Sequence, residues 1–255
     1  MDPAEKDRLM KKGTDLVFEL LNIKTEVKKK QKMLKKYGIS LRDFMEDYRL
    51  VEVKEEAVEE KIEIPNSVSI HTDVCLLNFQ KVTDNHGPFD VIMMDPPWKL
   101  TAKDSTRGVN LEYTQMDITD IGNMEIPLLQ EKGFIFVWVI TSTYVTAINL
   151  MKRWGYKLVD ELVWIKKAHS GGLAKSHGYY LQHAKETCLV GWKGGDLPVI
   201  GQASDLILAI RGGQSEKPLE IYDIIEKACP GGKYVEIFGR KRNLRSGWVT
   251  IGNEL

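Results

Sequence analysis

Four consecutive residues, Asp95-Pro96-Pro97-Trp98, carry the strongest chemical signal in the sequence. They follow FDVIMM (Phe89–Met94), an apolar run that predicts a buried strand. A carboxylate at the end of such a strand needs a partner, because an unpaired buried charge is costly. Pro96 and Pro97 fix φ and carry no N–H, so their carbonyls are expected to face a ligand without competing donors. Trp98 adds a wide flat π-face. Acceptors beside a stacking plate suit a planar ligand bearing an NH₂ group, such as the exocyclic amine of a nucleobase. That nitrogen is a poor nucleophile because its lone pair is delocalised into the ring. Two acceptors on its N–H bonds localise the pair and stabilise the positive charge that develops in reaction. The competing reading is a turn, since Asp-Pro-Pro is also a common loop opener.

Two loops are expected to shape the target site. KLTAKDSTRGVNLEYTQM follows the motif and brings Tyr113, which can close over a base. KKAHSGGLAKSHGYYLQH offers Lys166, Lys167, His169, Lys175 and His177 beside two adjacent tyrosines. Basic and aromatic residues interleaved in this way suit phosphate contact and base stacking. His169, His177 and His183 lack pairing at metal-ligand spacing, so no zinc site is expected. Cys75, Cys188 and Cys229 are scattered and form no CxxC pair, which predicts a reducing compartment without a disulfide framework.

The elements that must position these residues follow from periodicity. FDVIMM, FIFVWVI, KLVDELVWIKK, ETCLVGWK, DLILAI and KYVEIFG predict strands, the last being the final long one. Helices are expected within DITDIGNMEIPLLQEKG, over TSTYVTAINLMKRWG with Gly155 as its stop, and over KPLEIYDIIEKACPGG with Pro218 in the first turn. Alternation of strands and helices predicts an α/β fold with a mostly parallel sheet covered on both faces. In such folds ligands bind beyond the carboxyl ends of the strands, which is where Asp95 falls.

The chain has 255 residues, 43% hydrophobic and 28% charged, as in an ordinary soluble globular protein. Lys+Arg and Asp+Glu are both 36, so net charge says nothing about a nucleic-acid partner and only its distribution could. The longest apolar run, Phe134–Ile140, is too short to span a bilayer, and the charged N-terminus does not resemble a secretory signal. Residues 1–65 form a separate helical extension in this reading, ahead of a catalytic domain over 66–255. Leu16, Leu20, Ile23 and Val27 recur at helical spacing, and charge is segregated along the segment. The extension is either a pair of solvated helices or an arm for a partner or nucleic acid.

DPPW after a strand resembles the β-class amino-methyltransferases, and residues 66–255 are similar to the eukaryotic N6-adenine methyltransferase family. Its best-known member is the catalytic subunit of the messenger-RNA adenosine methyltransferase. TDVCLLNF, GFIFVWV, WGYKLVDELVWIKK, LQHAKETCLVGWKG, KPLEIYDIIEKACPGG, VEIFGRKRN and GWVTIGNEL carry the resemblance. It is strongest towards a ciliate-type branch acting on adenine in DNA, with RNA as the alternative. A non-catalytic scaffold that only presents nucleic acid is the other-class alternative, against which the intact Asp95 speaks. The resemblance implies a Rossmann-like fold and S-adenosylmethionine as methyl donor. It implies cofactor contacts at Asp73, Val74, Asp95, Arg240, Arg242, Asn243, Asn253 and Glu254, with Lys185 on the methionine carboxylate. Arg242 departs from the family, which often has histidine there. VEIFG at the far end stands in for the usual Gly-rich loop, so the order is permuted, with the catalytic motif before the cofactor strand. The resemblance further implies a nuclear heteromer with a degenerate methyltransferase-like subunit, with small nucleic-acid-binding subunits as possible additions.

Overall fold

A computed structural model of the chain describes residues 64–99, 115–176, 180–198, 203–213 and 215–255. The chain divides into two units, Met1–Lys61 and Ile62–Leu255, and every described residue belongs to the second. The helices expected at the N-terminus therefore lie outside the described residues.

Among the described residues eight strands are seen: β1 (Val68–His71), β2 (Val91–Met94), β3 (Gly133–Val139), β4 (Lys157–Lys167), β5 (Lys185–Lys193), β6 (Leu206–Ile210), β7 (Tyr234–Ile237) and β8 (Trp248–Gly252). They form one sheet in the order β1-β8-β7-β2-β3-β5-β4-β6. Every pairing is parallel except the two made by β5. Among the described residues the helices are α1 (Phe79–His86), α2 (Ile118–Asn123), α3 (Tyr144–Arg153) and α4 (Glu220–Ala228).

Burial follows position in the sheet. The central strands β2, β3, β7 and β8 are buried at every residue, which is why their sequences are nearly all apolar. The edge strands β1 and β6 alternate instead, because one of their faces stays open. One core packs α1, α2 and α3 against one face, with Phe79, Ile121 and Leu150 meeting Ile92, Val137 and Ile251. On the other face Ile221, Tyr222 and Ile225 of α4 meet Met93, Trp138, Trp164 and Trp248.

Some local expectations change. The helix expected after Asp117 splits into α2 and a 3₁₀ turn over Ile126–Leu129, which Pro127 opens. Pro218 precedes the Leu219 cap of α4 and is not in its first turn. Among the described residues no helix is long and apolar enough to cross a membrane, and no cluster of His, Cys, Asp or Glu could hold a metal ion.

Candidate active site

The sheet order creates one distinctive place. From β2 the chain moves outward to β3, and from the adjacent β7 it moves the other way to β8. The carboxyl ends of β7 and β2 therefore flank a topological switch point, where α/β folds leave a crevice. Asp95 follows β2, and Phe238, Gly239 and Arg240 follow β7. Asn253 and Glu254 follow β8, and Asp73 and Val74 follow β1. Four parallel neighbours thus deliver most of the expected residues to one edge. β5 runs the other way, so it begins at that edge and places Glu186 beside it.

Asp95 accepts a hydrogen bond from Lys217 Nζ at 2.6 Å. The same ammonium lies 3.4 Å from Glu186 Oε2 and 5.6 Å from the centroid of the Trp138 ring. Glu186 Oε1 accepts from Lys166 Nζ. Burial pushes the Asp95 carboxyl above the usual carboxylate range, against the pull of Lys217. Burial acts in the same direction on Glu186, but Lys217 and Lys166 together outweigh it and hold that acid low. Burial disfavours the charge on Lys217, yet Asp95 and Glu186 hold its ammonium above the ordinary lysine value. The ammonium is thus the fixed charge of the group, and it opposes the upward push of burial on Asp95.

Several expected roles need correction. The carbonyls of Pro96 and Pro97 do not lack donors: Trp98 N–H reaches Pro96 O and Met116 N–H reaches Pro97 O, both at 2.8 Å. One lone pair on each oxygen is left for a ligand. Trp98 is not an open stacking plate. It is 6% exposed, packs in the core under α1–α3, and donates its indole N–H to Trp138 O at 3.0 Å. It braces the turn from beneath. Lys166 is buried against Glu186 and does not project to meet phosphate. Lys185 opens β5 one residue before Glu186, so it leaves the opposite face of the strand, and its ammonium donates to Thr187 Oγ1 at 3.1 Å. The cation beside Asp95 is Lys217, which a reading of the sequence does not single out. Lys167 is half-buried, while His169 and Lys175 are exposed on the loop between β4 and β5. Tyr113 and His177 lie outside the described residues.

The remaining expected contacts line the β7 side. Asp73 is exposed and caps the turn over Val74–Leu76 by accepting from Cys75 N–H at 2.9 Å, whereas the Val74 side chain is core. Arg240 pairs with Glu254 at 3.0 Å. Asn243 accepts from Arg240 N–H at 3.2 Å and donates to the Tyr222 hydroxyl at 2.8 Å. Tyr222 in turn donates to Glu236 at 2.8 Å. Burial pushes the Glu236 carboxyl up to about 8, with the charge of Asp95 adding to the effect and the Tyr222 bond opposing it. Arg242 pairs with Glu216, one residue from Lys217, and so ties the Lys217 loop to the turn between β7 and β8. Asn253 is exposed at the end of β8.

The turn after β7 has the character of a ligand cradle. Phe238 has φ 68°, a conformation a non-glycine residue adopts only under constraint. A Cβ on Gly239 would fall 2.2 Å from Thr250 Cγ2, and one on Gly252 only 2.1 Å from Gly239 O. Glycine is required where these two backbones cross. The edge therefore offers a cation for a carboxylate, polar groups for a ribose and a tight backbone turn, which fits the donor set that S-adenosylmethionine needs.

Three residues at this edge escape a reading of the sequence: Lys217, Glu186 and Glu236. A lysine just ahead of a helix opposes the helix dipole and signals a nearby acid. Glu186 and Glu236 are acids on otherwise buried strands, the same signal that marks Asp95.

The comparisons agree with this architecture. The MT-A70 family profile matches residues 89–254. An N(6)-adenosine-methyltransferase MT-A70-like protein of Drosophila melanogaster is 38% identical over 172 residues, covering 66% of this chain and 27% of its own. The N(6)-adenosine-methyltransferase catalytic subunit METTL3 of Homo sapiens is 36% identical over 172 residues, 66% of this chain and 28% of its own. The N(6)-adenosine-methyltransferase non-catalytic subunit METTL14 of Drosophila melanogaster is 28% identical over 242 residues, 85% of this chain and 59% of its own. The chain spans little more than a quarter of the length of the first two relatives. A profile that covers well over half of the sequence, on a switch-point edge built around DPPW, shows that the chain belongs to the MT-A70 family.

Proposed function

We propose that this chain is the methyl-transferring subunit of an N6-adenosine methyltransferase that acts on RNA. The observation that carries the reading is Asp95 at the switch point, hydrogen-bonded by the Lys217 ammonium. A DNA substrate, the first expectation from the sequence, finds no support among the relatives. Their names specify adenosine, the ribonucleoside, which favours the RNA alternative.

S-adenosylmethionine, the donor this family implies, supplies an electrophilic methyl group on a sulfonium. Lys217 would hold its carboxylate, Arg240 and Asn243 its ribose, and Asp73, Asn253 and Glu254 the outer end. Asp95 accepts one N–H of the target amine, and the free lone pair on a proline carbonyl of the motif accepts the other. Both bonds strengthen as positive charge grows on nitrogen, so they act on the transition state more than on the ground state. No strong base is required beforehand, because the alkylated amine loses its proton readily.

The reading includes a second, degenerate subunit. Its support is the METTL14 relative, whose name marks it non-catalytic and whose similarity runs over most of this chain. A paired subunit can add basic surface to a chain whose net charge is zero. The test is radiolabel transfer to matched RNA and DNA oligonucleotides, with the chain alone and with a METTL14-like partner, followed by digestion to nucleosides. Label in N6-methyladenosine from the RNA, raised by the partner, is expected. Preferential labelling of the DNA overturns the substrate class, and full activity without a partner overturns the heteromer.

A further inference from the structure

Lys166 is 7% exposed on the face of β4 that looks towards α4. Its ammonium donates to Glu186 and lies 5.1 Å from the centroid of the Trp164 ring. Glu186 is the second acid within reach of Lys217, at 3.4 Å, while Asp95 holds the shorter contact at 2.6 Å. Four side chains thus alternate in sign along the edge: Lys166, Glu186, Lys217, Asp95. They come from β4, β5, the loop before α4 and the turn after β2.

Stability alone does not explain a lysine at this place. Burying an ammonium is expensive, and an apolar side chain of similar volume packed on Trp164 would serve a core as well or better. What a lysine adds is a charge on Glu186. Asp95 and Glu186 compete for one ammonium, and the outcome depends on how far Glu186 is already neutralised. We propose that Lys166 is a positioning residue: by neutralising Glu186 it leaves the Lys217 ammonium directed at Asp95. Its consequence for catalysis rests on the reading of Asp95 as the amine acceptor, whereas the charge relay itself does not.

The groups that face Asp95 are Lys217 from the loop before α4, Glu186 and Cys188 from β5, and Glu236 and Arg240 from β7 and its turn. Among the described residues Lys217 is the one cation hydrogen-bonded to it. With the charge of Lys166 removed, Glu186 keeps one cation and draws Lys217 towards itself. Asp95 then loses counter-charge while burial continues to favour its proton. Its carboxyl takes up that proton at higher pH.

The test is ¹³C-carboxyl NMR of the full-length chain without cofactor or substrate, with the Asp95 signal assigned by its loss in Asp95→Asn. Lys166→Met is expected to raise the Asp95 midpoint by about one pH unit. Lys166→Arg should restore it, and Lys166→Met should add no shift in a Glu186→Gln background. An unmoved midpoint in Lys166→Met overturns the relay. So does an equal shift in the Glu186→Gln background, which would mean that Lys166 acts on Asp95 without Glu186. Should Lys166→Met fail to fold, Lys166→Gln and the Glu186→Gln pair carry the same comparison. The acid limb of methyl transfer should move with the NMR midpoint. An NMR shift with no kinetic shift counts against Asp95 as the amine acceptor and leaves the relay standing.

Discussion

Replacing Lys217 with methionine keeps the volume of the side chain and its packing over Trp138, and removes only the charge. The structure sets the size of the effect. One ammonium serves two carboxylates, at 2.6 Å and 3.4 Å, and its own side chain is 14% exposed. Two unit charges about 4 Å apart at an effective dielectric of roughly 20 attract by about 4 kcal/mol. Removing one partner of a buried pair typically costs about 3–5 kcal/mol. Asp95 and Glu186 keep 31% and 23% side-chain exposure, so water recovers part of that loss, and relief of lysine desolvation recovers more. The expected net loss is about 2–3 kcal/mol at neutral pH. The loss depends on pH with a definite sign. Without the ammonium the Asp95 carboxyl, already raised by burial, rises further. A raised acid is stabilising below its pKa and loses that contribution as pH increases through it. The penalty in Lys217→Met should therefore shrink as pH falls. Urea denaturation of the full-length variant at pH 7.5 and 5.5 measures both parts. A loss under about 1 kcal/mol, or an equal loss at the two pH values, refutes the geometry. Lys185→Met is the control: that side chain is exposed, and its removal should change stability by no more than about 0.5 kcal/mol.

The same two variants separate the candidate cofactor cations. Lys217→Met should weaken S-adenosylmethionine binding about ten- to a hundredfold by calorimetry, and Lys185→Met should not; the reverse pattern returns the role to Lys185. Glu236 sits in the fold with its carboxyl pushed up to about 8 from 4.5, so its stabilising contribution fades between those values as pH rises. Glu236→Gln has no such proton, and its stability should improve relative to the wild type from pH 5 to pH 8; parallel curves contradict the burial argument. Trp98→Ala should lower stability by about 3–5 kcal/mol, as for a core aromatic, and a weakened substrate KM with stability intact would restore Trp98 as a stacking surface.

The legible parts of this fold are those where one strand or helix declares itself. FIFVWVI and KLVDELVWIKK are long, apolar and β-branched, and the strands match them closely. The carboxyl-end position of Asp95 is likewise visible in chain order, whereas the permuted order is implied by the resemblance and the pairing of β7 with β2 appears only in the sheet. β1, β8 and α1 are harder, with four, five and eight residues; α1 buries only Phe79 and Val82, and its clearest signal is the Asn78 cap. The side-chain pairings are hidden for a different reason. Lys217 meets Asp95 across 122 residues of sequence, and nothing local to either residue names the other. The resemblance places Lys185 on the cofactor carboxylate, whereas the period of two along β5 turns Glu186, which the resemblance does not single out, towards Lys217 and Asp95. Trp98 shows the same limit: its type suits a stacking surface and a core brace equally, and only the Trp138 carbonyl decides.

Asp95 in the proposed mechanism acts on the target amine and does not merely shape the cofactor site. Calorimetry of S-adenosylmethionine and single-turnover methyl transfer to an adenosine-containing RNA, run on the same preparation of wild type and Asp95→Asn with a METTL14-like protein added, test that directly. Asparagine keeps the size of aspartate but cannot supply the charge. Cofactor affinity within about tenfold of wild type, with transfer slowed by at least about two orders of magnitude, is the predicted result. Transfer at a near-normal rate, or transfer and cofactor affinity lost in equal measure, contradicts the claim.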